Sequence, residues 1–213
     1  MSRPLRLPIV LLLAGLAVAC AADGPRSAAA ESRAAGAAAV PRAADSAGRD
    51  AMDARLDSAL RRLRRDLPPV ARLADGEPTR DALVRRFVRA IERADTADLR
   101  RMMVTRAEFA YLYYPGSAYT RPPTRQDADL VWFLHLRESE KGVSRALARY
   151  GAAPLAVAGH DCDPAPIVEG DNRLWHGCRL TFAPRGDTLR LRLFGPILER
   201  DGVFKLHSFR NDL

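Results

Sequence analysis

Very little in this chain points to a reaction, and its shortages bound it before anything else does. The 213 residues hold only three cysteines, Cys20, Cys162 and Cys178, which excludes a disulfide-dense miniature scaffold and a multi-cysteine zinc framework. Lysine is almost absent: Lys141 and Lys205 stand against 34 basic residues in all. Aromatic residues make up 7% of the chain and do not interleave with basic runs, so the stacking platform of a strand-binding groove is missing. The longest apolar run, Ile9 to Cys20, falls short of the roughly 20 residues that a spanning helix needs. No glycine-rich phosphate loop, nucleophile elbow or metalloprotease helix occurs, and no cofactor is read from the sequence.

The formal net charge of +8 does not stand for a nucleic-acid partner. Two of those charges sit in the first 19 residues, the following stretch is balanced, and acidic residues are interspersed with basic ones throughout. No nucleic-acid binding is expected.

The N-terminus carries the sharpest signal. Arg3 and Arg6 precede the run Ile9-Val10-Leu11-Leu12-Leu13-Ala14-Gly15-Leu16-Ala17-Val18-Ala19-Cys20. A short basic region, an apolar core and small residues before a cysteine resemble a bacterial lipoprotein signal peptide. Leu16 lies four places before the cysteine, where that class usually has leucine three before it. The resemblance implies removal of 1–19, lipidation of Cys20 and a protein anchored in the bacterial cell envelope, facing the periplasm. The alternative is a soluble secreted or periplasmic protein, since Ala17-Val18-Ala19 also fits the cleavage pattern of plain export. Lipidation of Cys20 leaves Cys162 and Cys178 as an even pair, which an oxidising compartment turns into a disulfide.

Residues 20–50 read as the lipidated cysteine and a disordered linker rich in Ala, Gly, Ser, Arg and Asp. As a coil it reaches roughly 30 Å. A single domain, 51–213, follows. Met52, Leu56, Ala59, Leu60, Leu63 and Leu67 mark an amphipathic helix over 51–67, packed either on the domain or on the membrane, and Pro68-Pro69 end it. Residues 79–151 form a helical part. Leu83, Phe87, Val88 and Ile91 share one stripe, and Asp95-Thr96 cap a short helix bearing Leu99, Met102 and Met103. Thr105 to Glu108 has capping-box spacing. Leu130, Phe133 and Leu134 mark a further helix, and Val143, Leu147 and Tyr150 another.

Over 154–213 the period changes. Residues 154–162, 173–183, 187–198 and 202–210 read as four strands of a curved antiparallel meander, giving an α+β fold. The helix from Ala82 to Leu99, broken at Ala94-Asp95-Thr96, resembles the opening of nuclear-transport-factor-2-like (SnoaL-like, cystatin-like cone) domains. The ending Gly202-Val203-Phe204-Lys205-Leu206-His207-Ser208-Phe209 is similar to their final strand. The resemblance spans 79–213 and implies a sheet curved around helices, with a pocket in the cone. The family usually has a strand hairpin where this chain reads as helix and proline loop.

His160-Asp161-Cys162 and His176-Gly177-Cys178 form the main polar constellation. With Cys162 facing Cys178, paired positions sum to 340, which sets His160 beside Leu180 and Asp161 opposite Arg179, with cysteine Cα atoms about 4.4–6.8 Å apart. The alternative is a metal site of His160, Cys162, His176 and Cys178. His176 shares a face with Leu174, Leu180 and Phe182 and reads as partly buried; His207, alternating with Lys205, reads as facing water. Tyr111, Tyr113, Tyr114, Tyr119 and Trp132 read as core, with a pocket lining as the alternative; His160, His176, Tyr113 and Trp132 are the binding candidates. Three functional classes remain: a small-molecule or envelope-protein binding module, a structural envelope component, and a cone-pocket isomerase, dehydratase or hydrolase. A closed apolar pocket with an Asp, His or Tyr at its floor would favour the enzyme, and a large exposed apolar patch without a pocket would favour a partner-binding or structural role.

Overall fold

The helical stripe opening at Thr79 builds the first layer of the core. In the computed structural model, which describes residues 41–184 and 186–213, this is α2 (Arg80–Glu92), capped by the Thr79 hydroxyl accepting from the Ala82 amide. Its Leu83, Val84, Phe87, Ala90 and Ile91 are buried. Asp95 caps α3 (Thr96–Met102), which buries Leu99 and Met102. The capping box forms as its spacing predicts. Thr105 accepts from Glu108 N, Glu108 accepts from Thr105 N, and together they open the single turn α4 (Arg106–Glu108). The chain continues as a π-helical turn, Phe109–Tyr113, and two 3-10 turns, Tyr114–Gly116 and Ala118–Thr120. Cys20 and the signal-peptide reading lie outside the described residues.

Two helical expectations need correction. The helix expected over 51–67 is α1 (Pro41–Arg64), which takes in ten residues assigned to the linker. It lays Leu56, Ala59 and Leu63 on the domain, while Met52 is exposed. The two helices expected after 128 are one, α5 (Ala128–Tyr150). Its buried face is Ala128, Val131, Ser139, Gly142, Ala146 and Tyr150, whereas Leu130, Phe133 and Leu134 point outward. Small residues set this contact. A side chain at Gly142 would overlap the Phe209 carbonyl, so the helix and the segment after the last strand approach backbone to backbone there.

The fold is α+β, helices first and antiparallel strands after, in two sheets rather than one meander. β1 (Val157–Asp161), β4 (Arg179–Phe182) and β5 (Leu189–Leu191) form a three-stranded sheet in the order β1-β4-β5. β2 (Ile167–Glu169), β3 (Asn172–Trp175), β6 (Ile197–Arg200) and β7 (Val203–Leu206) form the other, in that order. Residues 173–183 are split by Gly177, whose φ of +64° turns the chain from one sheet to the other. Residues 187–198 are split at Gly195-Pro196, since proline cannot donate to a ladder.

Two clusters fill the interior. One joins α2, α3 and the end of α5 to Leu180, Phe182, Phe194, Ile197, Leu206 and Phe209. The other gathers Leu63, Phe109, Tyr113, Tyr114, Val131, Leu174 and Leu198. β7 lies between them, with Leu206 in the first cluster and Lys205 turned to Glu108, so both of its faces are covered.

Candidate functional site

Between α5, the turns at 113–126 and the four-stranded sheet lies a cleft of about 780 Å³. Three of the four histidines line it: His135 from α5, His176 after β3 and His207 after β7. Tyr113, Tyr119, Glu138, Glu169, Arg192 and Arg210 are among the further polar groups, while Val131, Leu134, Ile167 and Leu174 are apolar wall.

Local backbone chemistry places these side chains. The π turn presents Tyr113, and buried Asn172 holds that turn by donating to the Leu112 carbonyl at 2.9 Å. Arg200 donates to the same carbonyl at 3.2 Å and pairs with Asp171 at 2.9 Å, tying the β2–β3 turn to it. Past β7 the chain stays bonded to the 195–196 corner. His207 N donates to Pro196 O at 2.8 Å and Gly195 N to Ser208 O at 2.9 Å. Ser139 of α5 accepts from Phe209 N.

These contacts correct the water-facing reading of His207. Alternation predicts an exposed face only where one side of a strand meets solvent, and β7 is covered on both. His207 packs edge-on against Tyr113, ring centroids 4.4 Å apart, and against His135 at 4.5 Å. Lys205 is 0% exposed. Its ammonium donates to both Glu108 oxygens at 3.1 and 2.9 Å, while Glu108 also accepts from Ala74 N and Thr105 N.

Burial sets the charge of the floor. It lowers His135 to about 4, opposed only by the His207 backbone, and lowers His207 well below the ordinary histidine value, helped by His135 and His176. Burial and the Glu169 carboxylate push the Tyr113 phenol well above its usual range. At neutral pH all three groups are therefore uncharged. Nε2 of His135, Nε2 of His207, Oε2 of Glu169 and Nε of Arg192 are buried without a hydrogen-bond partner in the protein. They are four of the seven such side-chain atoms among the described residues, and all belong to this one cleft.

The binding candidates read from the sequence divide. Tyr113 and His176 line the cleft. Trp132 stacks on His135, centroids 5.6 Å apart, without lining it. His160 lies elsewhere, its Nε2 3.4 Å from an Asp81 carboxylate oxygen on α2. Sequence reasoning missed His135 and His207. His135 sits on a helix whose exposed leucines mimic a buried stripe, and the position of His207 depends on the C-terminal strand being covered on both faces.

Cys162 and Cys178 are joined in a disulfide. The register that pairs His160 with Leu180 and Asp161 with Arg179 is present. The Cα atoms are 3.9 Å apart, closer than expected, in a pair lying one residue beyond the ends of β1 and β4. Asp161 forms its ion pair with Arg190 of β5 rather than Arg179. The four-ligand metal site does not assemble. Its thiols are bonded to each other and the Gly177 turn carries His176 away to the cleft. Among the described residues no three His, Cys, Asp or Glu side chains are grouped to hold a metal ion.

No family model, curated protein or solved structure matches the chain. The likeness to nuclear-transport-factor-2-like domains therefore rests on the residues that carry it.

Proposed function

We propose that this protein is a small-molecule-binding module of the bacterial envelope, tethered through a lipidated Cys20 and binding its ligand in the cleft floored by Tyr113, His135 and His207. The observation that supports it most is the concentration of unpartnered buried polar atoms on that cleft. Each such group costs about 1–3 kcal/mol when left unsatisfied, so the fold carries this cost where a ligand or bridging water recovers it. The volume falls in the range of drug-sized ligand sites.

Thermal-shift screening of the full chain carrying Cys20→Ser, beside a His207→Asn counterpart, tests this reading. A ligand at one hundred times its Kd stabilises by about 2.7 kcal/mol. Binders are expected to raise the Tm of the first chain well above their effect on the second; a panel whose binders stabilise both equally contradicts the reading. A cone-pocket isomerase, dehydratase or hydrolase is the second reading, favoured by the contact of Tyr113 with His207. It requires turnover that His207→Asn abolishes.

A further inference from the structure

The cleft is polar at its floor and apolar at its mouth. Leu134 and Ile167 line it and yet are 48% and 54% exposed. Leu130 and Phe133, on the same stripe of α5 as Leu134, extend the exposed apolar surface. Deeper, the partnerless atoms call for a ligand group that both donates and accepts. Glu169 Oε2 accepts only, Arg192 Nε donates only, and each imidazole Nε2 does either according to its tautomer. A hydroxyl serves all of these.

We infer that the ligand is a single-chain amphiphile with an uncharged, hydroxyl-bearing head, seated among His135, Glu169 and His207 with its chain leaving between Leu134 and Ile167. This rests on the cleft being the binding site. Charge excludes the common alternatives. An anionic head would meet the Glu169 carboxylate in a region where the imidazoles are neutral and offer no countercharge. The lining carboxylates Glu138 and Glu169 balance the guanidiniums of Arg192 and Arg210, and Arg192 is already paired with Asp212. A cationic head would have to lose its hydration beside those buried imidazoles, whose protonation the same burial already suppresses.

Trp132, stacked on His135, reports on the floor, and the chain's only other tryptophan is Trp175. The full chain with Cys20→Ser and Trp175→Phe, free of its own acyl chains, is titrated with monolaurin, laurate and dodecylamine at neutral pH, following Trp132 fluorescence. Monolaurin is expected to give a saturable change and the two charged probes to bind about ten-fold more weakly or worse. Leu134→Glu with Ile167→Glu, at exposed positions that leave folding intact by circular dichroism, should weaken monolaurin by about ten-fold. Glu169→Gln should bring laurate toward the affinity of monolaurin.

Laurate binding as tightly as monolaurin, or monolaurin indifferent to both sets of variants, overturns the assignment. Phosphatidylcholine vesicles loaded with monolaurin, set against the free monomer, separate a membrane source from a soluble one; saturation in either supports the assignment and in neither overturns it. If monolaurin fails but a polar soluble compound gives a saturable change in Trp132 fluorescence, the amphiphile falls and the binding cleft stands. If nothing changes it, both fall.

Discussion

Lys205 and Glu108 show how much one buried pair organises. Their side chains are 1% and 3% exposed and tie β7 to the turn that leads into the cleft wall. The two ends are not equivalent. Without the ammonium, Glu108 keeps two backbone donors; without the carboxylate charge, Lys205 is left buried beside a neutral group. Glu108→Gln is therefore expected to cost about 3–5 kcal/mol and Lys205→Met distinctly less, read by urea denaturation. Equal costs would show that the charge is not what holds Lys205 in place. The histidines set a pH dependence of their own. His135 protonates near 6.5 when unfolded but near 4 in the fold, and His207 is lowered in the same direction. Between those values the unfolded chain binds more protons, so stability is full above about pH 6.5 and is lost as pH falls toward 4. His135 alone contributes on the order of 3 kcal/mol to that loss. His135→Phe should flatten the decline of Tm across this window, and an unchanged slope would place the acid sensitivity elsewhere.

Elements with local signals were legible in the sequence. Thr79, Asp95 and the Thr105–Glu108 box cap the helices they mark, and the 340-sum register of β1 with β4 follows from two cysteines alone. Elements decided by what covers them were not. α5 buries Ala128, Ser139, Gly142 and Ala146 while showing Leu130 and Phe133 to solvent, which inverts the usual sign of an apolar stripe. β2 is three residues long and was not read as a strand at all. Gly142 tests the close approach of α5 to the C-terminal segment at Phe209. An alanine there gains about 1 kcal/mol of helix propensity but forces its methyl into the Phe209 carbonyl. Net destabilisation of about 2–3 kcal/mol is expected by thermal melting, with Ser144→Ala on the exposed face near neutral or slightly stabilising. If Gly142→Ala stabilises as Ser144→Ala does, the two segments do not touch there.

At the scale of the whole molecule, the cleft joins parts far apart in the sequence: the π turn, α5, β2–β3 and the last residues of the chain. Neither composition nor spacing announces such a site, which is why Tyr113 and His176 were found singly and His135 and His207 were missed. The envelope anchor proposed at Cys20 is a separate matter. On that proposal Cys20→Ser, still exported, should move the protein from the membrane fraction to the soluble one, because the substitution removes the acyl chains that would anchor it. Full retention on membranes would shift attention to the arginine-rich helix α1. The proposed binding role of the cleft is tested most directly by nuclear magnetic resonance of the full chain with Cys20→Ser and isotope-labelled histidine. The chain has four histidines, three on the cleft and one, His160, beside Asp81 and outside it. Titration with monolaurin and a panel of small polar compounds should shift His135, His176 and His207 together in the presence of at least one binder and leave His160 in place. Ligands that move His160 instead, or a panel that moves none of the four, would contradict a binding site in this cleft.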